Sequence, residues 1–193
     1  MPVSLPATTL LPPCRALVDY WEGLRAGNLL PRRGDVDPAR MVPILSRIYI
    51  LEAHAPNDIR FRLVGTDNVR LLGFEPTGQN LVDLTPVAER NLRAWRIWTL
   101  AAWPCAAWFT RAVASASGRT DIAHTVMLPL DPDRAGAPRQ LIAVTALGDM
   151  EGKESRLSAP LMGPPLDFAF LDIGAGAPDS IQPPADWVAD LSH

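Results

Sequence analysis

Five strand-length apolar segments and one long amphipathic helix, in a set order, constrain this chain more than any other feature. Ser46 to Ala53 and Ile59 to Val64 come first, joined by Pro56-Asn57-Asp58, whose residues favour a tight turn. Pro86 to Trp103 then follows the helical period. Leu92, Trp95, Trp98, Thr99 and Ala102 share one face, while Glu89, Arg90, Arg93 and Arg96 supply much of the other. Three further strand-like segments succeed it: Ala106 to Ser115, Ile122 to Leu130 and Gln140 to Leu147, separated by Gly118-Arg119 and by residues 131–136. Two strands, a helical insert and three strands predict an α+β domain with a five-stranded antiparallel sheet and helices on one face.

The flanks add detail. Cys14 to Ala26 reads as an N-terminal helix with Leu17, Val18, Tyr20, Trp21 and Leu24 as its apolar stripe, stopped by Gly27-Asn28. Asp37 is placed to cap a short helix with Pro38 in its first turn. Thr66 is placed to cap a second, Asp67 to Leu72, which Gly73 ends. Charge shifts along the chain, from 16 basic against 14 acidic residues up to position 150 to 2 against 7 beyond it. The expected organisation is therefore an N-terminal extension over 1–13, a domain over 14–150, and a Pro-rich acidic tail over 151–193 with 151–165 as linker. Within the tail, Leu166 to Leu171 alternates as a strand with one apolar face. It is read as a cover for the domain's own core in preference to a strand docking on another chain.

Composition excludes several classes. Hydrophobic residues at 48% and charged residues at 20% argue against wholesale disorder. A net charge of -3 lacks the basic excess that binds a phosphate backbone, so nucleic acid is not an expected partner. Cys14 and Cys105 stand far apart without metal-ligand spacing, which predicts neither a disulfide framework nor a zinc site. The longest apolar run, Leu100 to Phe109, contains Pro104 and is too short to span a bilayer. With no cationic start before an apolar stretch, no export signal is read, and the expected location is the cytoplasm.

Four segments in order carry a resemblance. Leu17-Val18-Asp19-Tyr20-Trp21-Glu22-Gly23-Leu24-Arg25 comes first, then Leu30-Pro31-Arg32-Arg33-Gly34-Asp35-Val36-Asp37-Pro38. Phe61-Arg62-Leu63-Val64-Gly65-Thr66 and Leu72-Gly73-Phe74-Glu75-Pro76-Thr77-Gly78 follow. Together they resemble a small PAS-domain family found mainly in alphaproteobacteria, over roughly residues 14–147. The resemblance implies a PAS fold acting as a stand-alone sensory or protein-interaction module in bacterial signalling, and it does not name a ligand or cofactor. Gly78-Gln79-Asn80-Leu81 lacks the cysteine expected of a flavin-reactive loop, so a photochemical role is not read.

Candidate site residues follow from strand parity. Ile122, His124, Val126, Leu128 and Leu130 share one face of their segment, and Ala123, Thr125 and Met127 share the other. His124 is the polar member of an apolar face, able to ligate haem iron, to hydrogen-bond a buried ligand, or simply to sit satisfied in the core. Trp95, Trp98 and Trp108 could wall an aromatic cavity between the long helix and the sheet, with Phe61, His124 and Val126 completing it. Plain packing is the bland alternative for each. Leu17, Tyr20, Trp21 and Leu24 suit a homodimer interface if the first helix leaves the domain, and core packing if it folds back. No nucleophile elbow, P-loop or HExxH occurs, so no enzyme is expected. The rivals to a sensor that binds a small apolar ligand and a signalling partner protein are a ligand-free interaction scaffold and a ketosteroid-isomerase-like enzyme. For the last only Asp121 and His124 are near, and strand parity sends them to opposite faces.

Overall fold

The computed structural model describes residues 10–114, 120–148, 163–187 and 189. Helix α1 (Pro12–Arg25) leads through a 3-10 helix (Pro38–Arg47) into the hairpin β1 (Ile48–Ala55) and β2 (Asp58–Val64). Helices α2 (Thr66–Leu72) and α3 (Val87–Ala102) follow, then strands β3 (Ala106–Ala114), β4 (Thr120–Leu130), β5 (Arg139–Leu147) and β6 (Asp167–Leu171). All pairings are antiparallel, in the order β2-β1-β5-β4-β3-β6. The five expected strands form as read. The sixth is the tail segment, which pairs with β3 from Ala106↔Leu171 to Thr110↔Asp167 and so extends the sheet by one. Among the described residues, no helix is long and apolar enough to cross a membrane.

The sheet is covered on both faces, which differs from the single covered face read from the sequence. Cys14, Leu17, Val18 and Trp21 of α1 pack on Ile48, Ile50, Val126, Leu128, Leu130, Ile142 and Val144. The other face meets α3, where Ala94, Ile97, Leu100 and Ala101 pack against Leu51, Phe61, Phe109, Met127, Leu141 and Ala143. Strand β5 lies between β1 and β4 and is buried on both faces, which explains its nearly continuous apolar run. Pro129 is tolerated in β4 because the β3 partner stops at Met127, so no ladder donor is lost there. Its carbonyl accepts from Trp21 Nε1 at 2.8 Å, which ties α1 to the strand.

Local chemistry explains the boundaries. The Asp37 carboxylate accepts from Ala39 N at 2.9 Å, as its capping role predicts. Helix α2 departs from expectation: Gly65, not Thr66, occupies the capping position and no side chain caps it. The chain there is pressed against β1, with Gly65 N donating to Ile48 O at 2.7 Å. A methyl group on Gly65 would stand 2.6 Å from the Leu45 carbonyl oxygen and closer still to that of Ser46, so only glycine fits. The tail is tied in as well. Buried Arg25 donates to the Ile173 carbonyl at 2.9 Å, and Ile173 is itself fully buried against the α1-side core.

Two predictions follow from this packing. Gly65→Ala meets backbone oxygens and is expected to lower stability by about 1–3 kcal/mol, read from the urea midpoint. Cys14 and Cys105 are both free and buried, on opposite faces of the sheet, and burial pushes each thiol from 9.0 up to about 12. Iodoacetamide at mildly alkaline pH is expected to spare both in the folded chain and to alkylate both in concentrated urea. A raised thiol pKa leaves the unfolded chain to ionise first. This contribution to stability is therefore full below pH 9.0 and is lost as the pH climbs toward about 12.

Candidate ligand cavity

Between α2, α3 and the sheet lies a cavity of about 40 Å³. Its apolar wall comes from Phe61 and Val64 of β2, Leu72, Leu81, Ile97, Phe109, Ala123 and Met127. Its polar lining comes from Tyr49, Asn68, Arg93, Arg111, Thr125 and Thr145. That volume suits roughly three water-sized groups, given about 10–15 Å³ for each, and is far below what a haem or flavin ring needs without repacking.

Several of these polar groups are satisfied within the protein. Thr125 and Thr145 face each other across the β4–β5 pair, with their hydroxyls 3.1 Å apart. Asn68 Nδ2 donates to the Arg47 carbonyl at 2.8 Å and so fastens α2 to the start of β1. The arginines enter from two elements. Arg93, on α3, donates to Thr85 Oγ1 at 3.3 Å and to the Gly163 carbonyl at 2.7 Å. Arg111, on β3, holds its guanidinium 4.6 Å from the centre of the Phe109 ring. Burial lowers the proton affinity of both, with the charge of Arg111 adding to the effect on Arg93 and that of Arg96 to the effect on Arg111. Tyr49, tilted against Phe61 with ring centroids 6.1 Å apart, moves the opposite way. Burial pushes its hydroxyl up to about 12 against the pull of Arg111 and Arg93, so it remains a proton donor.

The residues expected to share one cavity are divided by the sheet. Phe61 lines the cavity. Trp95 turns toward the sixth strand, edge-on to Phe170 with centroids 5.5 Å apart, and Trp98 packs partly buried on the α3-side core; neither lines the cavity. Trp108, His124 and Val126 lie on the α1 side. Val126 is fully buried there, while Trp108 and His124, with ring centroids 6.1 Å apart, border an open groove with Thr110, Ile122, Leu166 and Asp167. Parity along β4 was legible, but parity says only which residues share a face, and the cavity belongs to the face of Ala123, Thr125 and Met127. His124 lies on the far side of the sheet from the cavity, and burial lowers its pKa.

The α1 stripe is used within the chain. Leu17 and Trp21 are buried against the sheet, and Tyr20 and Leu24 pack partly buried on the same core. The Tyr20 hydroxyl also accepts from Asp37 N at 2.7 Å. Of the four, Leu17 and Trp21 would have to leave the sheet to serve a dimer interface, whereas Tyr20 and Leu24 keep part of their surface exposed.

Part of the charged side of α3 is buried as well. Arg93 and Arg96 are each only 6% exposed, because the tail runs over them. Arg96 donates to the Ile181 carbonyl at 3.0 Å and sits 4.4 Å above the Phe168 ring. Tyr49, Asn68, Arg93, Arg111 and the threonine pair were missed as cavity residues. The one available signal was Arg111, a cation between Phe109 and Val113 on the inward period of β3.

No curated protein matches the chain. A family model described as PAS domain matches residues 10–145, from helix α1 through the first four strands and most of β5. A six-stranded antiparallel sheet with a long helix across one face agrees with that match, and the chain belongs to the PAS-domain family.

Proposed function

We propose that this chain is a sensory module that takes a small ligand into the cavity between α3 and the sheet and reports occupancy through α1. PAS domains serve in general as sensory and signalling modules. The observation that carries the reading is the alternation along β4. Thr125 and Met127 touch the cavity, while their neighbours His124, Val126 and Leu128 touch or approach α1. A ligand that binds one twist of the sheet better than another shifts the population that α1 displays, by a factor no larger than its own difference in affinity.

The downstream element in this reading is a partner protein, a second copy of this chain among the candidates, that meets α1 or the tail. Leu17 and Trp21 become available to such a partner only when α1 lifts, so a homodimer built on the stripe is a feature of the displaced state.

A fragment library screened against the full chain by NMR tests the proposal. Hits are expected to shift the Met127 methyl and, on the opposite face, the Trp21 indole proton that bonds Pro129. Ala123→Leu, which fills the cavity from β4, is expected to remove those hits while retaining the folded spectrum. Hits that persist in Ala123→Leu overturn the ligand site, and a Trp21 signal that ignores every hit overturns the route through the sheet.

A further inference from the structure

We infer that the open groove on the α1 side of the sheet is a second small-molecule site, taking an uncharged ligand with an apolar body and a carbonyl head: a ketone, ester or lactone. The groove lies across the sheet from the cavity and stands independently of the sensing reading.

Three strands build it. The register sets Thr110 beside His124 on one side and beside Asp167 on the other, with Trp108 two residues along the same face of β3. The Thr110 carbonyl accepts from Leu166 N at 2.9 Å, which fixes Leu166 at the rim. With Ile122, these residues bound a groove of about 390 Å³, far larger than the cavity of about 40 Å³. Small-molecule sites commonly span roughly 300–1,000 Å³. Leu166 and Asp167 come from the tail, so the groove is complete only with β6 docked.

Hydrogen bonding is the first reason to place a ligand there. Trp108 is only 7% exposed, yet its indole Nε1 has no partner among the described residues, and neither has His124 Nδ1. The two rings are neighbours, with centroids 6.1 Å apart. A buried donor left unpaired is costly, and folded chains carry few of them. With His124 protonated at Nδ1, one carbonyl oxygen entering between the rings accepts from both through its two lone pairs.

Charge and exposure set the class. Among the described residues the groove is lined by one carboxylate, Asp167, and by no Lys or Arg. Asp167 accepts from the Thr110 hydroxyl at 2.9 Å and repels an anionic head. A cationic head suits Asp167 but offers the two rings no acceptor. Ile122 and Leu166 are 37% and 59% exposed, and the hydrocarbon body of the ligand covers these apolar rims.

The test titrates the full chain with 2-hexanone, hexanoate and hexylammonium at constant ionic strength and reads the Trp108 indole proton by NMR. The ketone is expected to move that proton saturably, and by more than it moves the Met127 methyl, with both ions at least roughly fivefold weaker. Its affinity is expected to survive Ala123→Leu, which fills the cavity on the opposite face. Trp108→Phe keeps a ring and removes the N–H, and is expected to weaken the ketone roughly three- to tenfold where its spectrum shows a folded chain. Leu166→Ser, at an exposed position, carries the test where it does not, with a roughly two- to fivefold loss expected. The absence of a saturable shift at Trp108, equal or tighter binding of either ion, or undiminished affinity in the folded variant overturns the inference. Loss of the ketone in Ala123→Leu overturns the groove and assigns the ligand to the cavity, so each reading can fail without the other.

Discussion

Strand β4 holds two chemically different surfaces on one backbone, and the rest of the molecule is arranged around that constraint. Val126, Leu128 and Leu130 face α1, while Ala123, Thr125 and Met127 face α3 and the cavity. With both sides buried, a slip of one residue would exchange every contact on each face, so the register is strongly specified. Close packing also means that neither face can move independently of the other. The Trp21 bond to the Pro129 carbonyl sits at the end of β4 where β3 no longer flanks it, and it fixes where α1 lies along the strand.

A second layer of order comes from the tail, which lies against α3 and makes that helix an interior element. Phe168 stacks on Phe109 with centroids 5.9 Å apart and meets Phe170 edge-on at 5.0 Å, so the tail strand continues the aromatic side of the sheet. Carbonyls of Gly163 and Ile181 accept from Arg93 and Arg96. Those bonds make it possible to bury two guanidinium groups on a helix whose other side already packs on the sheet. Helix α3 thus links tail, cavity and sheet, and a change in any of the three is felt by the other two.

Most of the architecture was legible in the sequence. Turn residues at Pro56-Asn57-Asp58, the Asp37-Pro38 cap and strand parity over Ile122 to Leu130 describe local conditions, and the folded chain respects each of them. What could not be read was which partner covers which face. His124 and Val126 share a side, as the alternation says, but the element above them is α1, set by packing between parts of the chain far apart in sequence. Arg93 and Arg96 fall on the polar side of a helical wheel, and nothing local tells that residues 163–187 will pass over them. Arg111 showed the one useful inconsistency, a charge on an inward period. Inconsistencies of this kind mark the places where a chain has been shaped for something other than stability.

The outer edge of β3 is closed by β6, a strand encoded more than fifty positions later. During vectorial synthesis, β3, β4 and β5 therefore leave the ribosome with an open row of backbone donors and acceptors along β3, and the arginines of α3 leave before their carbonyl acceptors exist. A nascent chain in that interval has a sticky margin that β6 covers once it has been made, which limits the time in which neighbouring chains on a polysome can pair along it.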